Sequence, residues 1–298
     1  MTSKNEPLEI TLKRVRDYNI VANNEFRFVT IGFGIVKSFK KMESSLFGVH
    51  QPYRMKEGRI ILIISGELHV SINLIEYSLQ TGNLVIMSPG SIVEVLSITP
   101  DFDMRVIVVE NEFIQYLNKN EIIEYYIGHQ QNVSIKLNEK EFEQTNTYFS
   151  LIWNTVCEGI FRREVVQSLV TALLFNISYI RKDNISAIST PMSRQEELFH
   201  RFIALVNEFS SSERNVPFYA DKLCLTPRYL NTLIKQTSKQ TVMEWINQSV
   251  MMEAKILLKY SDLLVYQISD KLNFPNPSFF CKFFKKMAGI TPLEYQRK

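Results

Sequence analysis

The spacing of hydrophobic positions divides the chain into a strand-rich first part and a helical last part. Between residues 26 and 109, short runs of aliphatic residues are separated by turn residues, and Leu68, Val70 and Ile72 alternate with polar neighbours. A period of two is typical of a strand with one buried face. Several such runs in succession predict a β-sandwich or a small barrel.

Helical spacing takes over after residue 110. We expect one helix over 111–127, one long or two consecutive helices over 138–182, and a linker in the polar segment 183–192. Residues 1–24 show no clear period and are expected to form a loosely packed lead. From residue 193 onward the pattern predicts seven helices. They are expected at residues 193–210, 217–223, 227–236, 242–259, 263–271, 277–287 and 292–297.

The third of these helices has two unlike faces and follows a short helix after a tight turn. Its apolar positions are Leu230, Leu233 and Ile234, which are expected to pack inward together with Ala220 and Leu223 of the preceding helix. The opposite face carries Arg228, Asn231, Thr232 and Lys235. An Arg side chain can pair with guanine and an Asn with adenine, so this face suits the major groove of a duplex.

The same arrangement recurs about 45 residues later. Phe280, Phe283, Phe284 and Met287 are expected to form the buried face of the second short helix, with small and basic residues on the other face. The helix over 242–259 would bridge the two units and set them about one DNA turn apart. Ordinary packed helical hairpins are the alternative, but two matched units in tandem favour DNA binding.

Charge and cysteine content add to this interpretation. Residues 193–298 carry 15 Lys and Arg against 10 Asp and Glu, whereas the rest of the chain carries 19 against 21. A basic last third fits a domain that meets phosphates. The three cysteines lie far apart, which indicates a reducing compartment, and Cys224 is expected to pack inward. With no apolar lead or span in the sequence, we expect a cytoplasmic protein that does not enter a membrane.

The end of the chain carries a specific pattern, Phe274-x-x-x-Ser278-x-Phe280-x-Lys282-x-Phe284-Lys285-Lys286-x-x-Gly289-x-Thr291-Pro292-x-x-Tyr295. It resembles the C-terminal signature of the AraC/XylS family of bacterial transcription regulators, and residues around Tyr229 and Leu230 resemble the family's first unit. Departures are Thr232, Ile234 and Lys282, which replace a usual Arg, Phe and Arg, Ser238 and Asn273, which replace turn glycines, and Ser269, which replaces a small Ala.

The resemblance implies which residues meet DNA. Base-facing positions would be Arg228, Asn231 and Thr232 in the first unit, and Pro277, Ser278, Phe279 and Lys282 in the second. Contacts with backbone phosphates are expected from Lys235, Lys285 and Lys286, and they position a protein without specifying sequence. The alternative for these lysines is an ordinary solvated surface.

The resemblance also implies the layout of the first half. Many members of the family have a cupin-like β-barrel followed by dimerisation helices, so we expect a cupin-like sensor and dimerisation domain over 1–182, a linker over 183–192 and an all-α DNA-binding domain with two helix-turn-helix units over 193–298. Double-stranded DNA, RNA polymerase and a second copy of the chain are the expected partners. A small effector in the barrel is the natural hypothesis, and its binding residues are not identified by the sequence.

Catalysis and metal binding are not expected. The four histidines, His50, His69, His129 and His200, include no pair one or two residues apart, and the chain has neither a phosphate-binding Gly-rich loop nor a nucleophile elbow. We therefore predict no cofactor, no metal and no enzyme activity. The hypothesis is a DNA-binding transcription regulator, and the resemblance to the AraC/XylS family implies an activator more readily than a repressor. The alternative is a small-molecule-binding cupin protein whose helical tail is structural.

Overall fold

The computed structural model describes residues 9–10, 25–41, 48–110, 112–113, 133–187 and 193–297. Within these ranges eleven strands are followed by nine helices. The strands are β1 (Glu9–Ile10), β2 (Arg27–Thr30), β3 (Phe33–Val36), β4 (Pro52–Met55), β5 (Gly58–Ser65), β6 (Glu67–Ile72), β7 (Ile75–Gln80), β8 (Asn83–Met87), β9 (Ile92–Ile98), β10 (Asp103–Val109) and β11 (Val133–Lys136).

The helices follow the last strand. They are α1 (Glu139–Cys157), α2 (Arg163–Ala187), α3 (Arg194–Phe209), α4 (Val216–Lys222), α5 (Pro227–Ser238), α6 (Val242–Tyr260), α7 (Val265–Lys271), α8 (Pro277–Ala288) and α9 (Pro292–Arg297). None of the described helices combines the length and the apolar composition that a membrane span requires.

The strands form two sheets. One has the order β1-β4-β9-β6-β7 and the other β11-β8-β5-β10-β3-β2. Neighbouring strands pair antiparallel except β1 and β4, which pair parallel. Across the described strands, hydrogen bonds do not join the two sheets into one continuous barrel. The expectation of a sheet-rich first half is therefore confirmed, but the barrel is not closed.

Alternation along the strands separates two cores. In β5, Ile61 and Ile63 contribute to the core between the sheets, whereas Ile60 and Leu62 contribute to a core between the six-stranded sheet and helices α1 and α2. Because successive side chains in a strand point to opposite faces, one run of six buried residues serves both cores. The result is three layers, with the six-stranded sheet in the middle.

Helices α1 and α2 are two consecutive helices rather than one long helix. The break contains Gly159, whose φ of +93° is the left-handed conformation that glycine adopts without strain. Helix α2 continues to Ala187, so residues 183–187 of the expected linker are helical. The expected helix over 111–127 lies outside the described residues except for 112–113, and the expected lead over 1–24 lies outside them except for β1.

The seven predicted helices of the last third are confirmed, and their ends differ by a few residues at most. Capping explains why the sequence located them well. Ser193 accepts a hydrogen bond from the backbone N–H of Glu196, and the Glu196 carboxylate accepts one from the backbone N–H of Ser193. Thr241 with Glu244 and Thr291 with Glu294 repeat this reciprocal capping box.

The last third packs against the five-stranded sheet. Leu74, in the turn between β6 and β7, joins the apolar core of α3 to α6, and Asn207 Nδ2 donates to the Asn73 carbonyl oxygen at 3.4 Å. A second contact is made near the C-terminal end of α6, where Ile256 and Tyr260 join the core between the two sheets. The β-rich part and the helical part therefore share buried side chains.

Candidate nucleic-acid interface

The first unit consists of α4, a tight turn and α5. Thr226 caps α5, because its Oγ1 accepts from the backbone N–H of Tyr229 at 3.2 Å, and Pro227 occupies the first helical position. Leu230, Leu233 and Ile234 are buried, as predicted, in a core that also holds Ala220 and Leu223. This buried back fixes the helix and determines which side chains point outward.

The turn of the first unit depends on Cys224. This residue adopts a φ of +55° and is exposed, so the prediction that Cys224 packs inward is wrong. Cys224 lies in the turn itself, outside both helices, and its thiol is in contact with solvent. Its thiol is free, as are those of Cys157, also exposed, and Cys281, which is partly exposed.

The outward face of α5 carries the predicted polar set. The side chains of Arg228, Asn231, Thr232 and Lys235 are all exposed. Two of them also bond to their own helix: Thr232 Oγ1 donates to the Arg228 carbonyl at 3.0 Å, and Asn231 Nδ2 donates to the Pro227 carbonyl at 3.0 Å. Thr232 therefore offers acceptor lone pairs outward, while Asn231 keeps one N–H and its Oδ1 without a partner on its own helix.

The second unit consists of α7, a turn and α8. Asn276 caps α8 by accepting from the Phe279 backbone N–H at 3.1 Å, and Pro277 again occupies the first position. Phe280 and Phe284 are fully buried against Ile268 and Leu272. Asn273 adopts a φ of +53°, which confirms the left-handed turn expected there.

The exposed face of α8 differs in chemistry from that of α5. Pro277, Ser278, Phe279 and Lys282 are exposed, and the exposed fraction of Phe279 is 58%. Met287, predicted to lie on the buried face, is also exposed, because the cluster is already filled by Phe274, Phe283 and Tyr295 packing beside the two buried rings. The predicted base-facing positions of the first unit thus present hydrogen-bonding groups, and those of the second present two apolar side chains, one hydroxyl and one cation.

The predicted phosphate-contacting lysines occupy equivalent places on the two helices. Lys235 lies in the last turn of α5, and Lys285 and Lys286 lie in the last turn of α8. All three side chains are exposed. Lysines at a helix C-terminus are also favoured by the helix dipole, so their position alone has a structural explanation beside the functional one.

Helix α6 joins the two units. It has 19 residues and a length of about 28 Å at 1.5 Å per residue. Its first half contacts the core of the first unit through Trp245 and Ile246. Its second half contacts the core of the second unit through Ala254 and Leu258. A helix that is embedded in both cores holds the units in one relative orientation.

A second connection between the units was not visible in the sequence pattern. Arg214 lies in the loop before α4. Its Cζ is 3.6 Å from the centroid of the Phe274 ring, and its guanidinium donates to the Leu272 carbonyl oxygen. Asn273 Nδ2 donates back to the Ser212 carbonyl at 2.8 Å. These contacts connect the loop before the first unit to the turn of the second unit. Arg214 and Leu272 are 58 residues apart in the sequence.

The end of α5 corrects one assignment. Ser238 was identified with a turn glycine, but the left-handed residue is the next one, Lys239, with a φ of +64°. Gly289 takes the matching position after α8, with a φ of +76°. Ser238 instead accepts a hydrogen bond from Trp245 Nε1 at 2.9 Å, which links α5 to α6.

His69 and His50 both form hydrogen bonds within the strand-rich part of the chain. His69 Nδ1 lies 3.1 Å from Ser78 Oγ on the neighbouring strand, and the His50 backbone N–H donates to the Val95 carbonyl at 2.8 Å. His129 lies outside the described residues. In the part of the chain that the structure describes, no three His, Cys, Asp or Glu side chains are arranged to hold a metal ion.

Comparison with known proteins gives a family match near the end of the chain and several similar proteins. A family model described as a helix-turn-helix domain matches residues 219–298. The chain is 29% identical over 106 residues to the uncharacterized HTH-type transcriptional regulator YijO of Escherichia coli, a match that covers 36% of this chain and 38% of the relative. It is 24% identical over 140 residues to the HTH-type transcriptional activator RhaR of Escherichia coli, covering 46% of this chain and 47% of the relative.

The chain is also similar to a solved structure, the C-terminal domain of the two-component response regulator yesN from Fusobacterium nucleatum. The identity is 28%, the TM-score is 0.32, and the match covers 35% of this chain and 99% of that domain. The matched regions span less than half the length of the two curated relatives named above.

Proposed function

We propose that this chain is a sequence-specific DNA-binding transcription regulator of the AraC/XylS family and that it reads two successive major grooves. The observation that carries the proposal is the pair of helices α5 and α8. Each is held by a buried apolar back, each has an exposed outer face, and both are attached to α6. A major groove about 12 Å wide accepts a helix of this kind.

The base contacts follow from the exposed faces. In the first groove, Arg228 would pair with guanine, Asn231 with adenine, and Thr232 would accept a hydrogen bond from a base amino group. In the second, Ser278 and Lys282 would supply polar contacts, while Pro277 and Phe279 would contact thymine methyl groups and sense groove shape. The second unit is thus proposed to favour A·T pairs where the first reads a mixed sequence.

The lysine contacts with DNA are proposed to be independent of the base sequence. Lys235, Lys285 and Lys286 are exposed at the ends of the two helices and would neutralise backbone phosphates. Each phosphate that is neutralised releases bound counterions, so the affinity should fall as the salt concentration rises.

The first part of the chain is proposed to sense and to dimerise. We assign residues 1–182 to a cupin-like sensor and dimerisation domain, 183–192 to a linker and 193–298 to the DNA-binding domain. Exposed apolar side chains on α1 and α2, among them Leu151, Val165 and Tyr179, support a two-fold partner on that side of the molecule. As a cytoplasmic activator without enzyme activity, the dimer would act with RNA polymerase and a small effector.

The competing function is a small-molecule-binding cupin protein with a structural helical tail. Selection of duplexes from a random pool with the full-length chain, followed by binding measurements at two salt concentrations, separates the two. The regulator should enrich a two-part sequence and bind it with an affinity that falls by orders of magnitude between about 50 and 200 mM salt. A chain that enriches no sequence and shows no salt-sensitive binding would be the cupin protein.

A further inference from the structure

A cleft of about 160 Å³ lies between the six-stranded sheet and helix α1, outside the core between the two sheets. Its apolar walls include Ile35 of β3 and Phe149 and Trp153 of α1. Its polar groups include Lys37, just after β3, Arg105 of β10 and Ser150 of α1. A cleft with both polar and apolar lining and two cationic side chains is the kind of site that takes a small anion with a short hydrocarbon body.

Arg105 is held in place at the side of this cleft. Its Nη1 donates to Ser150 Oγ at 2.9 Å, and Ser150 Oγ in turn donates to the Asn146 carbonyl at 2.9 Å. The side chain is half-buried, and burial lowers the pKa of the guanidinium, an effect that the carboxylate of Asp103 partly offsets. Burial of a cation without a close counter-charge is unfavourable, so an anion beside Arg105 would be stabilising.

The Asp103 carboxylate offsets the burial of Arg105 only in part, and it is hydrogen-bonded to other groups. Asp103 accepts from Ser38 Oγ at 2.8 Å and from the backbone N–H groups of Lys40 and Met104 at 3.0 and 2.9 Å. Its oxygens are therefore engaged with neutral donors of the loop after β3 and of β10. Within the described residues Arg105 forms no ion pair, and the four N–H groups that do not bond to Ser150 remain for a ligand.

Lys37 supplies the second cation. Its side chain is exposed, and Nζ lies 5.6 Å from the centroid of the Trp153 indole. The ammonium therefore stands over the aromatic wall, at the edge of the same cleft, rather than pointing away into solvent. A ring face already occupied by an ammonium is less available for stacking, which favours an aliphatic ligand over an aromatic one.

We propose that this cleft binds a short-chain aliphatic carboxylate, with the carboxylate between Arg105 and Lys37 and the hydrocarbon against Ile35, Phe149 and Trp153. The volume sets the size of the ligand. Engineered apolar cavities of about 150 Å³ hold one benzene molecule, so a branched acid of about five carbons fits and a long acyl chain does not. A planar carboxylate also suits the fork of an Arg side chain.

The site has a consequence for regulation, which rests on the proposed function. The ligand would bridge the sheet, through Ile35 and Arg105, to helix α1, through Ser150 and Trp153. Helix α1 belongs to the pair that we propose as the dimerisation surface. Binding would therefore stabilise one packing of α1 on the sheet and bias the dimer, and so couple a small acid to DNA binding.

Binding is tested without DNA, so the result is independent of the regulator proposal. Titration calorimetry and thermal unfolding of the full-length chain would be measured with 3-methylbutanoate. The neutral 3-methylbutanamide and inorganic phosphate serve as comparison ligands. The variants are Arg105→Gln and Lys37→Met. Lys140→Met is the matched control, because Lys140 is an exposed lysine of α1 that does not line the cleft.

The expected result is saturable binding of the acid and a higher unfolding temperature. The amide, and the acid with either variant, should bind roughly tenfold or more weakly, because each comparison removes one charged hydrogen-bonding group. Lys140→Met should bind the acid as the natural chain does. If Arg105→Gln fails to fold, the exposed Lys37→Met carries the comparison. The proposal is overturned if the acid does not saturate, if the amide or phosphate binds equally well, or if Lys37→Met binds like Lys140→Met.

Discussion

The phenol ring of Tyr53 stacks on that of Tyr260, with ring centroids 5.7 Å apart and planes inclined by 27°. Tyr53 belongs to β4 of the five-stranded sheet, and Tyr260 ends α6, the helix that joins the two helix-turn-helix units. Beside this pair, Arg54 and Glu253 form an ion pair between the same two elements. The sheet therefore holds α6, while the outer faces of α5 and α8 stay exposed.

Replacing Arg228 with Ala should relax sequence preference at one base pair of the first half-site. A bidentate Arg contact contributes about 1–3 kcal/mol of discrimination against the wrong base. The measurement is competition binding with every single-base variant of the selected duplex. A variant that loses affinity equally for all duplexes would show that Arg228 contacts phosphate and reads no base.

Replacing Lys285 with Met should weaken all duplexes alike. The loss of one phosphate contact should also reduce the slope of log affinity against log salt by about one. Affinities measured at several salt concentrations give this slope directly, with Lys140→Met as a control that changes the net charge of the chain by the same amount. An unchanged slope for Lys285→Met would place Lys285 away from the duplex.

Replacing Arg214 with Met should uncouple the two units. The Leu272 carbonyl loses its side-chain donor and Phe274 loses its cation, which should lower stability by about 1–3 kcal/mol. The stability is read from urea denaturation. Affinity for the two-part duplex should fall by a larger factor than affinity for either half-site alone, because the loss acts on their relative position. Equal losses for half-sites and the full site would contradict a coupling role.

Raising the pH above 10 should destabilise the chain through Tyr295. Burial, with smaller contributions from Glu94 and Tyr53, raises the pKa of its hydroxyl to about 12. An unfolded tyrosine ionises near pH 10, so between about pH 10 and 12 the unfolded chain releases this proton first. Stability therefore falls as pH rises through that window, and the effect is absent below it.

Tyr295→Phe should make this alkaline fall shallower. Urea midpoints measured between about pH 9 and 11.5 test it, with Tyr229→Phe as a matched loss of one hydroxyl from an exposed position. Burial also raises the pKa of Tyr219 and Tyr260, so part of the fall should remain in Tyr295→Phe. A profile identical to that of the natural chain would contradict a role for the Tyr295 hydroxyl.

The helical third was predictable because its signals are local. Capping boxes at Ser193, Thr241 and Thr291 and the spacing of buried residues such as Leu230 and Phe280 each act within one or two turns. The prediction that Cys224 is buried is wrong, and the reason is also local. Apolar character predicted burial, but Cys224 lies in the turn between α4 and α5, in the left-handed conformation, and is exposed.

The contacts that join distant parts could not be predicted from one sequence. Arg214 meets a turn 58 residues away, Arg105 meets α1 from 45 residues away, and Arg54 meets α6 from 199 residues away. Each depends on how whole elements pack, and periodicity carries no information about that. The arrangement of the strands in two sheets is of the same kind, since alternation along a strand does not determine its neighbours.

The most direct test of two units held at a fixed distance is a change in the spacing of the selected duplex. Insertion of five base pairs between the half-sites rotates one by about half a turn, and insertion of ten restores the rotation but adds about 34 Å. Because α6 and Arg214 fix the units, both insertions should reduce the affinity to that of a single half-site. Affinity that is unchanged by the five-base-pair insertion would contradict the rigid pairing of α5 and α8.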